Sequence, residues 1–268
     1  MKFPLKIPLF LIIIFSPLTA QLDPGAINSS LAFSDISGYG NNFVQFVNPA
    51  SLGYKKTNNA SIFHSPAPFE LKELSTSAAA VNYNFEFGNL GIAYLRYGFE
   101  LYSRNSILIS HGREILPSVY AGLTAEYRQL SIQNYGNTGA INILFGLTWF
   151  PVEYLSISST LGNPFGFTYF RNSEEIETTA ALGASMFITD LLKISTTLST
   201  ETARKTALGY GMEVFVHENI NLRCGINNVY NMVTLGAGVN YLYAGIDYSF
   251  LMHDYLGITH QIEINFEF

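Results

Sequence analysis

The stretch Ile258-Thr259-His260-Gln261-Ile262-Glu263-Ile264-Asn265-Phe266-Glu267-Phe268 decides how the chain is read. Ile258, His260, Ile262, Ile264, Phe266 and Phe268 interleave with Thr259, Gln261, Glu263, Asn265 and Glu267, a period of two. Such a period belongs to a β-strand with one apolar and one polar face, because successive side chains of a strand point to opposite sides. The preceding segment repeats the pattern, with Leu242, Ala244, Ile246, Tyr248 and Phe250 set against Tyr241, Tyr243, Gly245, Asp247 and Ser249. Ile220, Leu222, Cys224 and Ile226 alternate with Asn221, Arg223, Gly225 and Asn227 in the same way.

Extended over the chain, the test predicts about fourteen strands by the alternation rule. They fall near 59–66, 75–87, 89–98, 103–112, 116–128, 137–149, 153–162, 175–187, 191–200, 204–215, 219–227, 231–240, 241–250 and 258–268. Segments 59–66 and 89–98 alternate least clearly, so twelve strands is the alternative count.

Composition says where such strands can live. Of 268 residues, 48% are hydrophobic, 15% aromatic and only 13% charged, against about 25% charged in an ordinary soluble domain. Disorder is excluded by this apolar content. A net charge of −6 argues against a nucleic-acid partner. The single cysteine, Cys224, excludes a disulfide framework and any paired-cysteine metal or redox site.

At the N-terminus, Lys2 and Lys6 precede the apolar run Ile7 to Phe15, a Ser16-Pro17 break and the small residue Ala20. This order predicts a secretory signal peptide over 1–20. Beyond it no run approaches the roughly 18 apolar residues of a spanning helix. An exported, apolar, alternating chain can satisfy its backbone in lipid only as a closed barrel. The expectation is therefore an all-β protein: one transmembrane antiparallel barrel of about fourteen strands over 59–268, in the outer membrane of a Gram-negative bacterium.

Even strand number and tight turns on one side predict periplasmic termini. The expected periplasmic turns are Gly88-Asn89, Phe150 to Glu153, Thr189-Asp190, His217 to Asn219 and Asn240-Tyr241. The longer outer loops are expected at Pro66 to Leu74, Gln129 to Gly136 and Asn163 to Glu174. Phe85, Phe87, Trp149, Phe266 and Phe268 form the expected periplasmic aromatic girdle.

Residues 21–58 do not alternate, yet they carry Leu31, Phe33, Ile36, Tyr39, Phe43, Val44, Phe46 and Val47. An apolar segment ahead of the first strand is expected inside the barrel, as a plug. Within it Asn48 is expected to cap a short helix with Pro49 at its first position, Ala50 following and Gly53 ending it.

The segments Ala32-Phe33-Ser34-Asp35 and Val47-Asn48-Pro49-Ala50-Ser51-Leu52 resemble the N-terminal region of the PorV/PorQ family, related to the FadL-like transporters of hydrophobic compounds. The tail Asp247-Tyr248-Ser249-Phe250, with His253, Leu256-Gly257-Ile258-Thr259-His260 and Phe268, is similar to the ending of that group. The resemblance implies a fourteen-stranded outer-membrane barrel with an N-terminal hatch. It implies work either as an accessory of type IX protein secretion or surface attachment, with secretion-system or secreted proteins as partners, or in uptake of small apolar molecules. The first of these is the leading expectation and the second its alternative.

No residue set points to an enzyme. His64, His111, His217, His253 and His260 have no serine and acid arranged for nucleophilic attack, and His253-Asp254 lacks a third metal ligand. Gly209-Tyr210-Gly211 and Gly236-Ala237-Gly238 sit within strands and cradle no phosphate. No cofactor is expected. Glu126, Arg128, Lys193, Glu213, Arg223, Asp247 and Glu263 share the inward parity and are expected to pair with one another as a polar interior against the plug. Tyr102, Tyr135, Tyr230 and Tyr255, in or beside outer loops, are candidate protein contacts.

Overall fold

The computed structural model describes residues 23–170, 176–202, 206–229 and 231–268. The expected signal peptide and Tyr230 lie outside the described residues. No described helix is long and apolar enough to cross a membrane.

Fourteen strands follow one another: β1 (Asn59–Ser65), β2 (Thr76–Tyr83), β3 (Asn89–Gly98), β4 (Tyr102–Leu116), β5 (Val119–Ile132), β6 (Gly136–Val152), β7 (Leu155–Gly162), β8 (Thr179–Thr189), β9 (Leu192–Glu201), β10 (Ala207–His217), β11 (Ile220–Asn227), β12 (Met232–Tyr241), β13 (Ala244–His253) and β14 (Gly257–Glu267). Each pairs antiparallel with its sequence neighbours, and β1 closes the sheet on β14 with Ile62 opposite Ile264. Closure removes the free edges that an open sheet of this length would expose. The alternative count of twelve is thereby overturned.

Period two holds along the wall. In β14 Thr259, Gln261 and Glu263 are buried inside while His260, Ile262, Ile264 and Phe266 face out. The outward rows are apolar across register: Ala60, Val81, Ile92, Ile109, Ala125 and Ile143 stand side by side on β1 to β6. Such a belt is suited to acyl chains. Ile264→Arg, on the outward face of β14, should therefore destabilise the barrel in bilayers, by about 2–4 kcal/mol if the side chain sits at the midplane and less towards either edge of the belt. Urea unfolding in liposomes would read it as a lowered midpoint; an unchanged midpoint would contradict the outward assignment.

β4, β5 and β6 are the longest strands, of 15, 14 and 17 residues; at the end away from the chain termini β6 continues from Leu144, its last partner on β7, out to Gly136, and β4 passes β3 at the opposite end, beyond Gly112. This corrects the outer loop expected at Gln129 to Gly136. β5 runs to Ile132 and β6 begins at Gly136. Gln129 and Ser131 point outward beyond the apolar belt, so their polarity imitates a loop although the ladder continues. At the termini end the turns are tight, and Phe85 and Phe87 stack there with ring centroids 5.2 Å apart.

Candidate functional site

The interior of the barrel is occupied by the chain's own N-terminal segment. Its helices α1 (Ala26–Ser30) and α2 (Val44–Val47) and a 3-10 turn over Pro49–Tyr54 pack against the inner wall. Two patches of wall receive it, and both are made of glycine. Gly112, Gly122 and Gly146 stand directly opposite one another on β4, β5 and β6. A Cβ at any of them would lie 2.0–2.4 Å from atoms of Asn48, Pro49 or Ala50. Gly211 and Gly225 are opposite one another on β10 and β11, and a Cβ there would strike Ser34 or Leu31 at 2.2–2.5 Å. Removal of wall side chains at these positions is what gives the segment its space.

Asn48 accepts a hydrogen bond from the Ala50 amide at 3.0 Å, and Pro49 opens the turn. The same Asn48 donates to Ile36 O at 2.8 Å and to Thr148 Oγ1 at 3.0 Å, so the cap also fastens the turn to the wall. Gly53 does not end the turn, which continues to Tyr54. Gly53 is needed for contact: a Cβ there would lie 2.9 Å from the Arg113 backbone.

Charges fix the other side. Asp35, from the segment, accepts from Lys193 Nζ at 2.8 Å, and Lys193 also pairs with Glu213 at 2.7 Å. Glu213 pairs with Arg223 at 2.7 Å, and Arg223 reaches Asp247 at 2.7 Å. Arg223 is on β11 and Asp247 on β13; on the intervening β12 a Cβ at Gly238 would lie 2.3 Å from Asp247 Oδ1, and one at Gly236 would strike Ser30 of the segment at 2.4 Å. Glu263 accepts from the Ala26 amide at 2.9 Å and from Asn42 at 3.1 Å, a second tether on β14. Burial pushes the Asp35 carboxyl up, but the Lys193 ammonium and hydrogen bonds from Lys193, Ser37 and Ser185 outweigh it and hold it below the ordinary value.

Glu126 and Arg128 stand apart from this chain. Arg128 grips Glu126 through two hydrogen bonds of 3.0 and 2.9 Å, and Asn142 adds a third at 3.1 Å. Sequence reasoning thus named seven inward residues as one set, and the barrel divides them into a network around the segment and a pair nearer the opposite mouth.

Two features lay beyond the sequence reading. Part of the inner face of β1 to β4 is apolar: Phe63, Ala78, Ala80, Ala93, Leu95, Tyr97 and Leu108 form one cluster with Phe43 of the segment, while Asn59, Ser61, Asn82 and Asn89 on the same face are polar. Phe46 and Leu74 pack on the cluster. Weak alternation in β3 was its signal: Ala93, Leu95 and Tyr97 inside stand against Ile92 and Tyr94 outside, and when both faces of a strand are apolar the period fades. The second feature is Asn163, left-handed at φ 48°. It binds Phe167 and Ile176 through its side chain, at 2.8–3.2 Å and 2.6 Å. This turns part of the β7–β8 connection inward, burying Tyr169 and Ile176 against Leu130 and Ala140.

No protein-family model and no curated protein matches the chain in sequence. Solved structures match in fold. A toluene transporter of Ralstonia pickettii, TbuX, superposes with TM-score 0.65 at 11% identity, covering 85% of this chain and 94% of its own. A toluene transporter of P. putida, TodX, gives 0.65 at 10%, over 92% and 99%. A FadL homologue of Pseudomonas aeruginosa gives 0.61 at 10%, over 88% and 98%. The fold is thus that of FadL-like outer-membrane barrels, and two of these three neighbours are toluene transporters.

Proposed function

We propose that the chain is an outer-membrane channel passing small apolar molecules in a Gram-negative cell, with both termini periplasmic and the segment before β1 as its hatch. The observation that carries this is an apolar strip on the inner face of β1 to β4, which runs from Leu74 and Tyr97 near the far mouth to Phe43 of the hatch. A water-filled diffusion pore has a polar interior, whereas an apolar strip lowers the cost of an apolar solute along the wall. The names of the toluene transporters that share the fold support the same class of cargo.

The test is uptake of a labelled monoaromatic hydrocarbon by cells carrying or lacking the protein. Leu95→Asp should cut uptake about tenfold, because an unpaired carboxylate in the strip costs several kcal/mol and draws water. Heat-modifiable gel mobility would check that the barrel still forms. Equal uptake with and without the protein would overturn the reading.

A role as a secretion accessory of PorV/PorQ type is the second reading. It is favoured by aromatic side chains exposed at the far rim, Tyr135 at 88% and Tyr255 at 82%, since tyrosine buries area at low entropic cost in protein contacts. Under it, a deletion strain would retain or mislocate secreted cargo with hydrocarbon uptake unchanged.

A further inference from the structure

On the outer wall, five polar side chains stand side by side on five successive strands. His64 of β1 is opposite Ser77 of β2, Ser77 opposite Arg96 of β3, Arg96 opposite Asn105 of β4, and Asn105 opposite Gln129 of β5. The row immediately towards the termini end is Ile62, Ala79, Tyr94, Ile107 and Tyr127. The polar row is bounded at its ends by Ile262 of β14, opposite His64, and by Gly139 of β6, opposite Gln129. It therefore marks a patch about 19 Å wide, four strand spacings, at the upper edge of the apolar belt.

The patch has a shape as well as a polarity. Tyr94, Arg96, Asn105, Ile107, Tyr127 and Gln129 line a groove of about 390 Å³. Tyr94 donates its hydroxyl hydrogen to Asn105 Oδ1 at 2.9 Å, leaving the Asn105 amide hydrogens to donate elsewhere. Tyr127 lies over Gly139, where a Cβ would come within 2.7 Å of its hydroxyl. That absence lets the ring lean along the wall. No carboxylate pairs with Arg96 among the described residues. A planar guanidinium flanked by amide donors and aromatic rings, on a lipid-facing wall where the belt ends, is suited to an oxyanion that offers two oxygens to its paired N–H groups, as a phosphate does.

We propose that this groove seats the phosphate of a membrane lipid, in the leaflet at the end of the barrel away from the chain termini, with Arg96 as the charge partner and Asn105 and Gln129 as further donors. The inference rests on the barrel spanning a membrane and not on what passes through it. The lipid acyl chains lie against Tyr94, Ile107 and Tyr127 in the row below. A basic residue near an anionic lipid surface contributes about 1 kcal/mol, which is about a fivefold change in retention.

The experiment is native mass spectrometry of the purified barrel released from detergent micelles doped with dioleoyl phosphatidic acid or with dioleoyl phosphatidylcholine. The wild type should retain phosphatidic acid about fivefold more than Arg96→Gln. The Asn105→Ala/Gln129→Ala double variant should also lose retention while keeping the charge. Arg113→Gln removes a lipid-face cation at the opposite end of β4 and should retain lipid as the wild type does. Equal retention by wild type and Arg96→Gln overturns the proposal, as does an equal loss in Arg113→Gln, which would report charge alone. Displacement of the lipid by inorganic phosphate would overturn the lipid as the source. Heat-modifiable mobility confirms folding of each variant, and hydrocarbon uptake measured in parallel separates failure here from failure of the channel reading.

Discussion

Deleting residues 23–58 should raise single-channel conductance in planar bilayers by on the order of tenfold or more, with the barrel still folded. The wall explains the size of the effect. Where the segment sits, the inner face of the barrel carries Gly112, Gly122, Gly146, Gly211 and Gly225, with Ala80, Ser195 and Ser249 between or beside them. A wall of small residues cannot close a barrel of this girth by itself, since larger barrels enclose more than side chains can fill. The strands do not need the segment for their hydrogen bonds, because each pairs with two neighbours around a closed ring. Heat-modifiable mobility should survive the deletion. Conductance that stays at the wild-type value, in a barrel shown to be folded, would mean that other parts of the chain block the lumen.

Lys193→Met should destabilise the protein by about 3–5 kcal/mol, the usual cost of removing one partner from a buried charge cluster. Lys193 is 1% exposed and is shared by Asp35 and Glu213, so its loss leaves the buried carboxylates of Asp35, Glu213 and Asp247 with Arg223 as the remaining cation of the cluster. Methionine fills much of the same volume, which confines the effect to the charge. The triple variant Lys193→Met/Asp35→Asn/Glu213→Gln should recover most of the loss, because neutral amides need no cation. Urea unfolding in liposomes measures the cycle. A single-variant loss below about 1 kcal/mol, as for an exposed pair, would mean that water reaches the cluster.

The same tether has a defined pH dependence. The folded-state carboxyl of Asp35 lies below its ordinary value, so its contribution is present above the ordinary carboxyl range and is lost as pH falls through the folded value. Neutral and mildly acidic conditions therefore leave the N-terminal segment tethered at β9.

The alternation of Ile262, Ile264 and Phe266 with Gln261, Glu263 and Asn265 was enough to indicate a strand, its two faces and, with the low charge content, a barrel in lipid. It was enough because the period of two is a local property of extended backbone. Parity likewise sent Glu126, Arg128, Lys193, Glu213, Arg223, Asp247 and Glu263 inward. What parity cannot give is height on the wall. Whether Gly112 meets Gly122 and Gly146, or Lys193 meets Glu213, depends on the register of each pair, and register is fixed between strands rather than within one.

The N-terminal segment shows the same division. Its aromatic content placed it out of water, and Asn48-Pro49 announced a capped turn. Its partners, Thr148, Lys193 and Glu263, are 100 or more residues away and were brought to it by closure of the sheet. The apolar strip inside β1 to β4 was hidden for a further reason, clearest in β3, where Leu95 and Tyr97 inside stand beside Ile92 and Tyr94 outside. A strand apolar on both sides has no period to read, so the region that bears most on the proposed cargo was the part of the sequence with the weakest strand signal. The sequence by itself determined the kind of wall and which way each side chain faces; the tertiary structure decided what those side chains face, because pairing and closure set distances that no single strand contains.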